Sequence, residues 1–126
     1  ILVINGQSKE EVLAHAIPDL APAVAAVING SWRGKTREQI SSSGYVVHSL
    51  EAAIWCVAYT GCFREAVLLA ANLGDDADTV AAITGQLAGA LCGVEGIPAD
   101  WLEKLAWRED IERLGMRLLE CGPTIS

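Results

Sequence analysis

The sequence predicts an all-α fold. Apolar residues recur at three- and four-residue spacing through most of the chain, and no stretch alternates apolar and polar residues as a half-buried strand would. Helix caps, glycines and prolines divide the periodic stretches, and no internal repeat is evident.

The elements follow in order. Ser8-Lys9-Glu10-Glu11 has capping-box form and predicts a helix reaching about Ile17, where Pro18 ends it. Leu20 through Ile28 reads as a short helix closed by Asn29-Gly30. Residues 31–44 are polar and rich in turn formers, so they read as loop. Val46, Val47, Leu50, Ala53, Ile54, Val57 and Ala58 recur at helical spacing over residues 45–59, with Gly61 as the expected C-cap. Ala66, Leu69, Ala70 and Leu73 share one face of a helix over residues 63–73. Residues 79–92 form a helix with almost no polar face, placed by that composition at the centre of the bundle. Its Ala81, Gly85, Gly89 and Gly93 make a smooth stripe along which a neighbour could approach, too short for a membrane pairing motif. Pro98-Ala99-Asp100 opens a last helical region, broken near Trp107, continuing through Glu120 and terminated by Gly122-Pro123.

Bulk properties narrow the function. A chain of 126 residues with 52% hydrophobic composition is one globular domain with a core of its own. A net charge of −7 argues against nucleic acid as a partner, because phosphate binding needs a basic face. Arg33, Lys35 and Arg37 are the one basic cluster and read as a solvated loop. No apolar run is long enough for a membrane span, and Ile1-Leu2-Val3-Ile4 is too short for a secretion signal. Cys56, Cys62, Cys92 and Cys121 have neither disulfide-framework nor zinc spacing, consistent with idle thiols in a reducing cytoplasm. The chain opens without Met in a hydrophobic run, which suggests a fragment.

The chemistry concentrates at Gly74-Asp75-Asp76-Ala77-Asp78-Thr79, where three carboxylates and a hydroxyl precede an uncharged helix. Their mutual repulsion needs relief from water, a helix dipole or a cation. All-oxygen ligands suit Mg²⁺ or Mn²⁺ better than zinc. On a helix Asp76 and Thr79 share a face, with Asp78 beside them. The bland reading is an N-cap, which needs one Asp and not three. An EF-hand would require a ligand at Val80, a glycine at its sixth position and a closing glutamate, none of which is present. Gly34-Lys35-Thr36 fails as a phosphate loop, because three rather than four residues separate Gly30 from Gly34 and no strand precedes them. His48 reads as a hydrogen-bonded helix residue, His15 as a surface residue, and the four tryptophans as packing residues. Tyr45 follows a Ser/Gly loop at a helix start, where a ring can line a pocket.

Residues 72–93 resemble the C-terminal metal motif of the ADP-ribosylglycohydrolase family, an acidic G-[GD]-D-x-D-[TS] followed by a Gly/Ala-rich helix. Ser43-Gly44-Tyr45-Val46-Val47-His48-Ser49-Leu50 resembles the family's preceding helix, and the likeness runs from Ser43 to Trp107. Asp75 stands where the family often has glycine. The resemblance implies an orthogonal helical bundle with two Mg²⁺ or Mn²⁺ ions in a cleft. Asp76, Asp78 and Thr79 would be metal ligands, and Gly44 and Tyr45 would bind substrate. It implies hydrolysis of the glycosidic bond in ADP-ribosylated protein side chains or a related ADP-ribose conjugate. The family's T-D-D motif and its catalytic carboxylate have no counterpart among these residues. The chain therefore reads as the C-terminal part of a domain of roughly 300 residues, with the N-terminal half of the same protein or a companion chain as partner. No catalytic residue is expected in this chain, and alone it is expected to be inactive.

Two alternatives compete. A prenyl-diphosphate enzyme would need D-D-x-x-D and a downstream glutamate, where this chain has Thr79 and Ile83. A helical interaction module could keep the fold without activity.

Overall fold

The computed structural model describes residues 7–15 and 17–122. The first six residues, with Ile1-Leu2-Val3-Ile4, and the expected terminator Pro123 lie outside them. Among the described residues every regular element is helical, the α-helices running in the order α1 (Lys9–Ala14), α2 (Pro22–Ile28), α3 (Val46–Ala58), α4 (Phe63–Ala71), α5 (Ala77–Cys92), α6 (Ala99–Lys104) and α7 (Arg108–Cys121).

Local chemistry sets the ends. The Ser8 hydroxyl accepts from the Glu11 N–H at 3.2 Å while the Glu11 carboxylate accepts from the Ser8 N–H at 2.8 Å, completing the capping box. The helix stops at Ala14, short of the expected Ile17. Lys9 Nζ reaches the carbonyls of Val57 (3.2 Å) and Thr60 (3.0 Å), so α1 closes the C-terminal end of α3. The second helix begins at Pro22 rather than Leu20, as suits a residue with preset φ and no N–H to satisfy. It ends as expected: Gly30 takes φ +101°, and the N–H groups of Gly30 and Ser31 bond Val27 and Ala26 in a Schellman pair. Gly61, by contrast, does not cap α3; Tyr59 does, and Gly61 is absent from the positive-φ glycines.

Among the described residues α3 is the most deeply buried helix, and α5 packs on both α3 and α4. Eight consecutive-to-near-consecutive positions of α3 are buried, Ser49 and then Glu51 to Val57, because α2, α4 and α5 all pack on it. Ala52, Ala53 and Cys56 are wholly buried, and their small side chains let neighbours approach. Burial pushes the Cys56 thiol up to about 12, against a smaller opposing pull from Arg37. Cys62, Cys92 and Cys121 are free and exposed.

On α5 only Val80, Thr84 and Ala88 are buried; Ala82, Gln86 and Ala90 are exposed. Among the described residues α5 is thus packed on two helices and open on its remaining face. Its glycine stripe faces α4, but at ordinary distance: a Cβ on Gly89 would meet Phe63 Cε2 at 3.7 Å. Gly89→Ala is accordingly expected to stabilise the protein by about 0.5–1 kcal/mol through helix propensity, read by denaturant unfolding. A lower midpoint would mean that α4 packs closer than this.

Trp101 of α6 meets Phe63 edge to face at 6.2 Å. Trp107 follows in the left-handed region (φ +55°) and starts α7. Among the described residues no helix is long and apolar enough to cross a membrane.

Candidate functional site

The acidic cluster stands on a turn that is held from a distance. The 31–44 segment, expected as open loop, contains a 3₁₀ turn at Arg37–Gln39 with a Thr36/Gln39 capping box. That turn aims Arg37, whose guanidinium donates to the carbonyls of Asn72 (2.7 Å) and Leu73 (2.9 Å) at the end of α4. The buried Ser42 donates its hydroxyl to the Gly74 carbonyl at 2.9 Å, and its own carbonyl accepts from the Asp76 N–H at 3.1 Å. Between these anchors Gly74 and Asp75 both adopt positive φ, +86° and +49°. Position 75 thus has a backbone that favours glycine and that Asp tolerates better than most residues.

The basic cluster is correspondingly not a solvated loop. Arg37 holds the turn, Lys35 pairs with Glu51 at 2.7 Å, and Arg33 donates to the Leu13 carbonyl at 3.2 Å while lying over the Trp32 ring.

Asp76 occupies the N-cap of α5, yet its side chain makes no cap hydrogen bond. Its Oδ1 instead accepts from the Thr79 hydroxyl at 3.0 Å. Its Oδ2 lies against Gly44, where a Cβ would sit only 3.1 Å away. Asp78 and Thr79 are exposed and Asp76 half-buried. None of the four ion pairs among the described residues involves Asp75, Asp76 or Asp78. The donor set is hard oxygen and forms no ion pair with a lysine or arginine among the described residues, a chemistry that suits Mg²⁺ or Mn²⁺. Among the described residues no three His, Cys, Asp or Glu side chains converge on a metal-sized site. These residues alone would leave such an ion largely hydrated.

Gly44 and Tyr45 reach the same neighbourhood through α3. Tyr45 is the N-cap of that helix and is 56% exposed, its ring meeting His48 edge to face at 5.0 Å. His48 Nδ1 pairs with the Ser43 hydroxyl at 2.7 Å and lies 3.3 Å from that of Ser41. The buried Ser49 donates to the carbonyls of Ser43 (3.0 Å) and Tyr45 (3.3 Å). The structure therefore brings Gly44 against Asp76 and fixes Tyr45 one residue away. His48 is the hydrogen-bonded helix residue that its position predicted. Arg37 and Ser42 are the site-building residues that the sequence reading missed; the signal for Arg37 was the Thr36-Arg37-Glu38-Gln39 capping box, and Ser42 carried none. His15 is exposed, as expected.

Beneath this layer Glu51 is buried, accepting from Lys35 Nζ at 2.7 Å and from the Ser31 hydroxyl. Burial raises its pKa most, but the Lys35 and Ser31 hydrogen bonds and the charges of Lys35 and His48 together bring it below the ordinary 4.5. A carboxylate depressed in the folded state stabilises above its unfolded pKa, and that contribution disappears as pH falls through the folded value. Stability is expected to drop on acidification below about pH 4.5, and Glu51→Gln to flatten that drop in pH-dependent denaturation curves. An unchanged slope would assign it to other carboxylates.

Comparison with known proteins identifies the family. The chain is 51% identical over 124 residues to the ADP-ribosylarginine hydrolase Tri1 of Pseudomonas putida (strain GB-1), covering 98% of this chain and 33% of that protein. It is 38% identical over 71 residues to the ADP-ribosyl-(dinitrogen reductase) glycohydrolase of Rhodospirillum rubrum, covering 56% of this chain and 24% of that one. The chain thus spans about a third or less of these curated relatives. A solved structure described as an ADP-ribosylglycohydrolase-related protein complex matches with a TM-score of 0.82 and 41% identity, over 93% of this chain and 41% of that chain. The sequence profile described as ADP-ribosylglycohydrolase matches residues 2–124, and with that span, this fold and these relatives, the chain belongs to the ADP-ribosylglycohydrolase family.

Proposed function

We propose that this chain supplies part of the active site of a hydrolase that cleaves the glycosidic bond between ADP-ribose and a protein side chain or a related conjugate. The relatives named as ADP-ribosylarginine hydrolase and as an ADP-ribosyl glycohydrolase support that reaction class. The observation that carries the site assignment is the Asp76 carboxylate, which stands at a helix N-cap without capping it and faces Thr79 and Gly44 instead.

Asp76, Asp78 and Thr79 would hold two Mg²⁺ or Mn²⁺ ions together with ligands from a T-D-D segment, in the N-terminal half of the same protein or in a companion chain. Bound there, such ions supply Lewis-acid chemistry and hold a sugar's hydroxyls. This chain's own residues do the positioning. The Thr79 hydroxyl bonds to Asp76 Oδ1 and orients the carboxylate. Gly44 carries no side chain, which leaves space beside Asp76 Oδ2. Tyr45 presents an exposed ring, held by His48 and by the Ser43 loop, as a surface for the ADP-ribose moiety. The acidic net charge fits a metal-bridged diphosphate, and a cytoplasmic setting fits the free thiols.

The test is release of ADP-ribose from an ADP-ribosylated arginine substrate by the complete protein. Release is expected to stop on chelation and return with Mg²⁺ or Mn²⁺, while the 126-residue chain alone stays inactive. Metal-independent release would refute the metal assignment. A complete protein that neither binds nor releases ADP-ribose would favour a structural module that retains the fold.

A further inference from the structure

Among the described residues nothing buries helix α7. Every residue from 103 to 122 is exposed, and α7 buries none of its fourteen. Trp107, Ile111, Leu114, Leu118 and Cys121 nevertheless follow each other at spacings of four and three and form a stripe, with the exposed Met116 and Leu119 outside it. Trp107 is 79% exposed and Leu118 75%. Within the helix only the exposed pairs Arg108–Glu112 and Asp110–Arg113 lend support. A lone helix of this length is marginal in water, and two such pairs add a few tenths of a kcal/mol each. Trp107 also holds φ +55°, an outlier for a bulky residue that persists only where surroundings impose it.

The comparisons place α7 within the domain and show that the domain extends beyond this chain's length. The family profile runs to residue 124, so α7 belongs to the glycohydrolase domain and is not an appendage. The solved relative covers 93% of this chain, leaving about nine residues, too few to omit α7. This chain accounts for only 41% of that relative's chain. We propose that the Trp107-to-Cys121 stripe is the surface on which the remainder of the glycohydrolase domain docks, burying the stripe under apolar side chains of that remainder. The proposal rests on the reading that the site is completed by a further segment, and it names where that segment binds.

Hydrogen exchange provides the test, comparing the 126-residue chain with the complete Pseudomonas relative. Amides aligned with α7 are expected to be at least 100-fold better protected in the complete protein. Equal protection in both would overturn the proposal. The second arm co-expresses the chain with the unmatched portion of that relative. The wild-type chain is expected to co-purify with it, Leu114→Glu/Leu118→Glu to lose it, and Glu120→Gln on the opposite face to keep it. Since Leu114 and Leu118 are both exposed, the variant's own fold, checked by circular dichroism, is expected to persist. If the stripe variant still co-purifies, the completed-site reading stands and the docking surface lies elsewhere. If even wild type captures nothing, that reading falls and the proposal with it. A chain dimer that the stripe variant dissolves, and that the remainder does not displace, would make a second copy the occupant and overturn the proposal.

Discussion

Asp76→Asn in the complete protein is expected to lower metal-dependent release of ADP-ribose by at least about 100-fold, with little change in stability. The substitution keeps shape and removes charge, so it separates a ligand from a cap. An Asp that caps a helix through its side chain is worth about 1 kcal/mol when lost. Asp76 makes no such bond, and its carboxylate faces the Thr79 hydroxyl and Gly44. Removing one charge from a cluster of three also relieves repulsion. The denaturation midpoint should therefore hold or rise slightly as activity disappears. Intact release in Asp76→Asn, together with a fall of about 1–2 kcal/mol in Asp76→Ala, would restore the capping interpretation, because Asn caps as well as Asp and Ala does not.

The largest stability effect is expected at Trp55. Its indole is buried in α3, stacks at a tilt on Tyr59 with centroids 5.5 Å apart, and donates Nε1–H to the Lys35 carbonyl at 2.9 Å. Lys35 in turn pairs with Glu51, so the ring ties the 31–44 segment to α3. Trp55→Ala is expected to cost about 3–5 kcal/mol, combining lost burial with a cavity. Single domains have about 5–15 kcal/mol in total, so much of the stability would go. Trp55→Phe keeps most of the packing and loses the hydrogen bond, for a cost nearer 1–2 kcal/mol. Urea unfolding of both variants measures the difference. Equal costs would mean that the hydrogen bond, not the ring, dominates.

The helices were legible because their signals are local. Capping boxes, the Asn29-Gly30 ending and the apolar spacing of residues 45–59 each act within a few positions, and the structure follows them closely. The acidic cluster and the Gly44-Tyr45 pair were legible through family resemblance, and the structure places Gly44 against Asp76. The architecture around them was not. Arg37 reaches carbonyls 35 and 36 residues away, and Ser42 a carbonyl 32 residues away. Nothing in the local pattern of a polar loop encodes such partners. The depth of burial was not legible either: composition reports what a helix lacks, and among the described residues α3 buries eight of its thirteen residues whereas the uncharged α5 buries three of sixteen.

The most direct test is anomalous diffraction from crystals of the complete protein soaked in Mn²⁺. The account predicts manganese peaks within coordinating distance of the carboxylates of Asp76 and Asp78 and the hydroxyl of Thr79. Well-occupied peaks elsewhere, with these three side chains making only hydrogen bonds, would contradict it.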